Sequence, residues 1–506
     1  MNHWFRYLLF GLFLLAACGG GEEEVLTVPT PVVAAPTAVP DTSDTPLPTA
    51  TSNIAPTATL SGQVATPTLA PTPTLMPTET AVSVPQTNPP LETISQFPML
   101  GHGVVFIADG SLKMWGQGTQ ELKTLLSGGP SSATRSFQTE FVVGDISRFV
   151  ASDEAKQLLA LKITDRTDGG DAGISYTYDL LWVDLLNGNS RAVATGLRGN
   201  VDFALSNDGK HAIYVTQRPS SPNSEQYAIT LLETGARSLP RAIADCQLPC
   251  GSFAWHPDNQ NVVWADQQGL WLLNLSGQPT RLVANTFAAE PADVLVHAPE
   301  SWARNGRFLL IWRGRYEGGD RAVLDVTNSR VLELPDSFVY ANPAITEATW
   351  MDDSRLLVMR PNGSNPLEGS PSIEIWRVPD SGSELVREAA QTLTTLRGFP
   401  TGAKHLPDGR FGFALSHPND GQMSGLYALK GINDTLTRLT GIPPANAYYE
   451  ADVQWLPDGT GAMIANQDGH VVLALAAADT LFDLTPLVGQ WGRSFHWLPR
   501  FGLSNS

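Results

Sequence analysis

The chain has 506 residues with 42% hydrophobic content, enough to bury a sizeable core, but its 45 Gly and 38 Pro are too many for a helical protein. Lysine and arginine total 32 against 50 aspartate and glutamate, and the net charge of -18 opposes a phosphate backbone, so nucleic acid is excluded as an expected partner. Only three cysteines occur.

At the N-terminus, Arg6 precedes an apolar run over 7–15, which ends in Leu15-Ala16-Ala17-Cys18. A charged start, a short apolar stretch and small residues before a cut form a secretory signal, too short to span a bilayer. Cys18 directly after Leu-Ala-Ala resembles the bacterial lipoprotein box. That resemblance implies a signal peptide over 1–17 and a diacylglycerol on Cys18, with an ordinary signal and an incidental Cys as the alternative. Two or more acyl chains anchor a protein stably and one does not. The expected product is exported and membrane-anchored, at the cell surface or in the periplasm.

Residues 18–98 read as a stalk. No Lys or Arg occurs from Gly19 to Pro98, and 25–98 hold 15 Pro and 17 Thr in 74 residues. Such a segment buries too little to offset its conformational entropy, so it is expected to be disordered. At roughly 3.1 Å per residue in a polyproline conformation its upper reach is about 230 Å. Pro/Thr mixtures of this kind also look like O-glycosylated spacers.

From 99 to 506 the pattern is all-β. Short apolar runs bounded by turn residues every five to eight positions predict strands, most legibly over 253–275. A turn marker recurs at Asp153, Asp208, Asp258, Asn305, Asp353, Asp408, Asp458 and Arg500, at intervals of 55, 50, 47, 48, 55, 50 and 42. A period near fifty built from four strands predicts propeller blades. Three positions before each marker stands a column of Val150, Leu205, Trp255, Trp302, Trp350, His405, Trp455 and Trp497. Large rings on the innermost strands would wedge between neighbouring blades and close the ring.

The run Trp455-Leu456-Pro457-Asp458-Gly459, with Leu406-Pro407-Asp408-Gly409 and Trp255-His256-Pro257-Asp258, resembles the Trp-Ser-Pro-Asp-Gly repeat of TolB-type, WD-repeat-like propellers. The resemblance covers roughly 100–500. It implies architecture and little about function, since that family includes scaffolds, receptors and peptidase accessory domains. The peptidase relatives carry a hydrolase domain beside the ring; the chain ends nine residues after Trp497, so none is expected.

Residues 103–126 supply the second, third and fourth strands of a blade without a first, and 494–498 are a lone first strand. Joined, they form a composite blade that closes the ring. With seven further units this makes eight blades, with seven as the alternative should one degenerate unit fail to form.

The turns between first and second strands are tight. Long connections fall between second and third strands (162–177, 216–226, 313–321, 360–372, 416–424) and between blades (127–145, 240–251, 284–300, 440–452). Both long classes emerge on one face, which is the expected binding surface for a protein or glycan partner.

Asp165, Asp168 and Asp171 share a loop with two Gly, the kind of oxygen-rich turn that calcium favours. The loop lacks the alternation and closing Glu of a calcium loop, so a solvated loop is expected, and no cofactor. Arg313, Arg315, Glu317, Asp320 and Arg321 could recognise a charged ligand or form a polar loop. Cys246 and Cys250, in an exported chain, are expected to form a disulfide; a redox pair or zinc site fits poorly because the spacing is Cys-x3-Cys with no second pair. The repeated Asp is expected to accept backbone N–H bonds in its own turn, and His405 to pack in the column. No hydrolase elbow, zinc-protease, phosphate-loop or dinucleotide motif occurs. The expected function is a non-catalytic binding module. The alternatives are a propeller enzyme acting on a glycan or lactone, which needs two carboxylates converging at the channel mouth, and a structural envelope protein.

Overall fold

The computed structural model describes residues 90–498 except 99, 117–119, 131–140, 153–155, 170–172, 200, 219–225, 235–238, 288–289, 291–292, 316–317, 341–345, 362–366, 444–451, 466–469, 477, 479–480 and 489–494. The signal, Cys18 and the stalk as far as residue 89 lie outside the described residues, as do Asp153, Asp171, Glu317 and Arg500.

Eight antiparallel sheets follow one another around a ring. Blade 1 comprises Ile146–Ala151, Gln157–Asp168, Ile174–Asp184 and Ser190–Arg198. Blade 2 comprises Phe203–Leu205, His211–Arg218, Gln226–Glu233 and Arg241–Cys246. Blade 3 comprises Gly251–Trp255, Asn261–Asp266, Gly269–Asn274 and Thr280–Ala284. Blade 4 comprises Leu295–Trp302, Phe308–Arg315, Gly318–Asp325 and Arg330–Glu333, with Val339–Tyr340 added beside its third strand. Blade 5 comprises Glu347–Trp350, Arg355–Arg360, Ser372–Arg377 and Val386–Thr392. Blade 6 comprises Phe399–His405, Phe411–Ser416, Gly425–Leu429 and Thr437–Gly441. Blade 7 comprises Asp452–Trp455, Gly461–Ala465, Val471–Leu475 and Leu481–Asp483. Blade 8 is the composite: Phe495–Leu498 pairs antiparallel with Gly103–Ala108, followed by Ser111–Gly116 and Lys123–Leu126.

The ring closes at both ends of the chain. Phe495–Leu498 supplies the first strand of blade 8, and Leu91–Thr93 joins blade 7 as a fifth strand, parallel to Leu481–Asp483. Phe97 then enters the core at 3% exposure and stacks on Trp115 with centroids 4.2 Å apart. The expected stalk boundary at residue 98 is therefore too late, because residues 91–97 belong to the ring.

Alternation along each strand explains why eight such sheets cohere. In Asn261–Asp266, Val262 and Trp264 pack toward blade 2, while Val263 and Ala265 pack toward blade 4. A sheet with two apolar faces cannot stand alone in water. Eight apolar clusters result, each shared between two neighbouring blades, including blade 7 with 8 and blade 8 with 1. At about 2 kcal/mol per fully buried large side chain, this burial is the main force holding the ring.

The turn Asp does the local job expected of it. Asp258 Oδ1 accepts from the backbone N–H of Gln260 at 2.7 Å and of Asn261 at 3.0 Å, and Asp408 and Asp458 repeat the pattern. In blade 5 the acceptor is Asp352, not the marker Asp353, because its second strand begins one residue sooner. Neighbouring turns are also tied to one another. Ser152 Oγ donates to the Asn207 carbonyl, His256 Nε2 lies 2.9 Å from the Gly306 carbonyl, and Asn305 Nδ2 donates to the Asp353 carbonyl at 3.1 Å. The short-turn face is thus laced shut over blades 1 to 5.

Candidate functional site

Antiparallel meanders send the second-to-third hairpins and the interblade connections to the same face. Two of the expected loops there are strands. Blade 1 continues its pairing through Asp165↔Thr177 to Asp168↔Ile174, and blade 4 through Arg313↔Asp320 to Arg315↔Gly318. The polar residues that suggested loops alternate in these hairpins instead.

Asp165 and Asp168 consequently lie three residues apart on one strand, and period two sends their side chains to opposite faces. Asp165 Oδ1 accepts from the Arg166 backbone N–H at 2.9 Å. The two carboxylates therefore do not converge on one cation. Among the described residues no group of three or more His, Cys, Asp or Glu is placed to hold a metal.

The polar residues of blade 4 engage one another. Arg313 Nε contacts Asp320 Oδ1 at 2.5 Å and its Nη1 contacts Glu333 Oε1 at 2.6 Å, while Arg315 Nε lies 3.2 Å from Asp320 Oδ2. Burial pulls the Arg313 guanidinium down, but its bonds to Asp320 and Glu333 outweigh this and hold it above its ordinary value. Arg321 Nε meets Glu300 Oε2 at 2.8 Å, and its Nη1 donates to the Thr346 carbonyl of the connection into blade 5. Burial lowers Arg321 to about 10, with Glu347 opposing, so it stays charged at neutral pH.

Three further carboxylates, two in blade 5 and one at the start of blade 2, are engaged. Glu347 Oε2 accepts from the Ala403 backbone N–H at 2.8 Å. Glu374 Oε2 accepts from Arg360 Nε at 2.9 Å and from the Trp376 indole at 2.6 Å. Asp202 Oδ1 accepts from Arg148 Nη2 at 2.9 Å, and its Oδ2 from the Ser252 backbone N–H, so one side chain ties blades 1, 2 and 3. An acid–base pair on a glycan needs one carboxyl free to exchange protons, and these are bound in ion pairs or by backbone amides.

Apolar side chains are the other feature of this face. Phe141, Leu248, Phe287 and Phe338, on four different interblade connections, are 41%, 40%, 51% and 48% exposed. Phe141 meets Tyr176 edge-on with centroids 6.2 Å apart, and Tyr176 lies 6.2 Å from Tyr178, forming an aromatic ridge on the raised hairpin of blade 1. Burial and the neighbouring Tyr176 push the Tyr178 hydroxyl up, against the pull of Arg148.

The remaining expected residues are structural. Cys246 and Cys250 form a disulfide joining the last strand of blade 2 to the first of blade 3. Trp255, Trp455 and Trp497 are buried and Trp302 and Trp350 half-buried, all at blade interfaces. Gly412 lies beneath Trp455, where a Cβ would stand 2.9 Å from the indole. His405 is the exception in the column: it is exposed, its ring tilted by 44° against Phe411 with centroids 5.5 Å apart. A polar imidazole gains less from burial between blades than an indole does and would lose its hydration there. Sequence reasoning missed the exposed apolar set, His297 and the Glu300, Asp202 and Glu374 ties; nothing local separates Phe141 or Phe338 from the buried apolar residues of other interblade connections, such as Val201 and Leu396.

No family model and no curated protein matches the sequence. Among solved structures, the chain is similar to prolyl endopeptidases studied for inter-domain dynamics, at 12% identity over 67% of this chain and 49% of that chain, with a TM-score of 0.40. It spans about half the length of that structure. It is also similar to TolB from Acinetobacter baumannii (16% identity, 68% and 83% covered, TM-score 0.32). A third similarity is to the β-propeller domain of Myceliophteria thermophila Cps50 (Swd1) (14%, 63% and 93%, 0.36). At these identities the likenesses are of fold, and the assignment of an eight-bladed all-β propeller rests on the strand pairing itself.

Proposed function

We propose that the protein is an exported, lipid-anchored module that holds a protein partner on the long-loop face of its propeller without catalysing a reaction. The observation that carries this reading is the set of exposed apolar residues, Phe141, Leu248, Phe287 and Phe338, presented by four connections on one face of a rigid scaffold. Leu186 and Leu239 are exposed on the opposite face, so exposure alone does not mark this one; the exposed phenylalanines Phe141, Phe287 and Phe338 all stand here, and aromatic anchors dominate interfaces. Engagement of the nearby carboxylates by guanidinium and amide groups favours recognition over acid–base chemistry. The pattern over 1–18 supports export with a lipid on Cys18, and the Thr/Pro composition of 25–89 supports a spacer between anchor and ring.

A photo-crosslinking amino acid placed at 287 or 338 in intact cells should trap a discrete partner, whereas the same group at 186 or 239, on connections of the opposite face, should not. Equal trapping from both faces, or none from 287 and 338, would remove the proposal. Labelled fatty acid should enter the wild type and not Cys18→Ser; equal labelling would dispose of the anchor.

A further inference from the structure

We infer that the long-loop end of blade 4 binds an acidic peptide segment of the partner, taking its carboxylate on Arg315 and a neighbouring hydroxyl or amide N–H on His297. This rests on the partner being held on the long-loop face, as proposed above.

Strand register builds the site. His297 stands directly opposite Arg313, and Arg313 opposite Asp320, so these side chains and that of Arg315, two residues on, share one face of the sheet. Farther down the same face, Ile311 and Leu309 pack against blade 3. The arginine donors at the top are not all spent. Asp320 is held between Arg313 Nε and Arg315 Nε, and Glu333 is taken by Arg313 Nη1. Among the described residues, nothing accepts from the two Nη groups of Arg315, whose side chain is 36% exposed.

His297 leaves an acceptor unused beside them. It is 5% exposed, with Nδ1 3.0 Å from Asn285 Oδ1. Asn285 Nδ2 donates to the carbonyls of Asp266 at 3.0 Å and Gln267 at 3.2 Å, which fixes the amide oxygen toward the imidazole, so Nδ1 carries the proton. Burial, then Arg313 and Arg315, keep the ring neutral at physiological pH. A neutral imidazole protonated at Nδ1 has a bare lone pair on Nε2, and among the described residues nothing donates to it.

An unused guanidinium edge beside a bare acceptor calls for an anion with a hydrogen-bond donor next to it. A metal cation would meet Arg315, and a fully ionised phosphate has no proton for Nε2. A peptide carboxylate with an adjacent backbone N–H or hydroxyl satisfies both. Phe287 lies just beyond the Thr286–Leu295 bridge that brings Asn285 to His297, and Phe338 directly precedes Val339–Tyr340, which pairs with Gly318–Gly319 of the hairpin. Both rings are exposed and offer apolar contact to residues on either side of the acid. The net charge of -18 repels an acidic segment elsewhere, which directs it to these donors.

Panning a display library of random peptides against the full chain tests the inference. The recovered peptides should share an Asp or Glu. Binding of the synthetic peptide should weaken about tenfold when that acid is replaced by its amide, and by a similar factor in Arg315→Gln. His297→Leu should weaken it several-fold, and His297→Gln, which keeps an acceptor, should restore it; a loss that Gln does not restore removes His297 from the site. Recovery of no peptide, of peptides without a shared acid, or of an acidic peptide that Arg315→Gln binds as tightly as the wild type overturns the inference. If crosslinkers at 287 and 338 still trap a partner, the long-loop face stands without it; if they do not, both fall.

Discussion

The indole N–H of Trp350 donates to the backbone carbonyl of Ser301, 3.1 Å away on the first strand of the neighbouring blade. Trp302 does the same to Ala254 at 3.1 Å, Trp455 to Gly402 at 2.8 Å and Trp497 to Gln454 at 3.1 Å. The column is therefore a chain of directional ties as well as an apolar wedge. Trp255 is buried as Trp455 and Trp497 are, but its N–H finds no acceptor.

That difference gives a controlled comparison. Trp455→Phe and Trp255→Phe remove similar buried ring area, but only the first breaks a hydrogen bond. Trp455→Phe should cost about 1 kcal/mol more than Trp255→Phe. Urea unfolding of both variants measures the difference, and equal losses would show that the ties contribute nothing.

Much of this architecture was legible because its signals are local. A turn Asp three residues after a Trp repeats in chain order, and the unmatched halves at 103–126 and 494–498 foretold the composite blade. What escaped notice was non-local or too short. Leu91–Thr93 is three exposed residues whose only strand signal is a parallel partner nearly four hundred positions away. Phe97 was a usable clue, being the sole aromatic residue of 19–98. The blade 4 hairpin looked like a polar loop because its charges are neutralised by cross-strand neighbours such as Arg313 with Asp320, which periodicity cannot show. Glu300 and Arg321 pair across two strands, so neither advertises the other.

Closure predicts how the ring fails. Trp497 packs at the interface of blades 7 and 8 with Phe106, Leu456 and Met463. Trp497→Ala should cost about 3–5 kcal/mol, the range for emptying a buried aromatic site. Truncation after residue 493 removes the entire inner strand of blade 8 and should leave no cooperative melting transition. A truncated chain that melts like the full one would show that the composite blade is dispensable.

The disulfide spans only four residues in sequence but two blades in space. A chain-entropy argument for so short a loop gives on the order of 2 kcal/mol. Cys246→Ser/Cys250→Ser should therefore lower the unfolding midpoint under oxidising conditions, while reductant should lower the wild type and leave the double variant unmoved. A reductant-insensitive wild type would count against an intact bridge in solution.

His297 predicts the pH dependence. It is buried at the start of blade 4, with Nδ1 3.0 Å from Asn285 Oδ1, and burial first, then Arg313 and Arg315, lower it from 6.5 to about 4. In the unfolded chain the imidazole takes a proton near pH 6.5 and in the ring it refuses one until about pH 4, so the unfolded state binds more protons between those values. The stability owed to the neutral ring is complete above pH 6.5, declines as pH falls and is exhausted near pH 4. The full loss is on the order of 3 kcal/mol. Urea midpoints of wild type and His297→Gln should diverge with pH over that window, the wild type falling more steeply toward acid, because the variant has no imidazole to charge. Parallel curves would mean that His297 is protonated in the folded ring and that its burial beside two arginines is not maintained in solution.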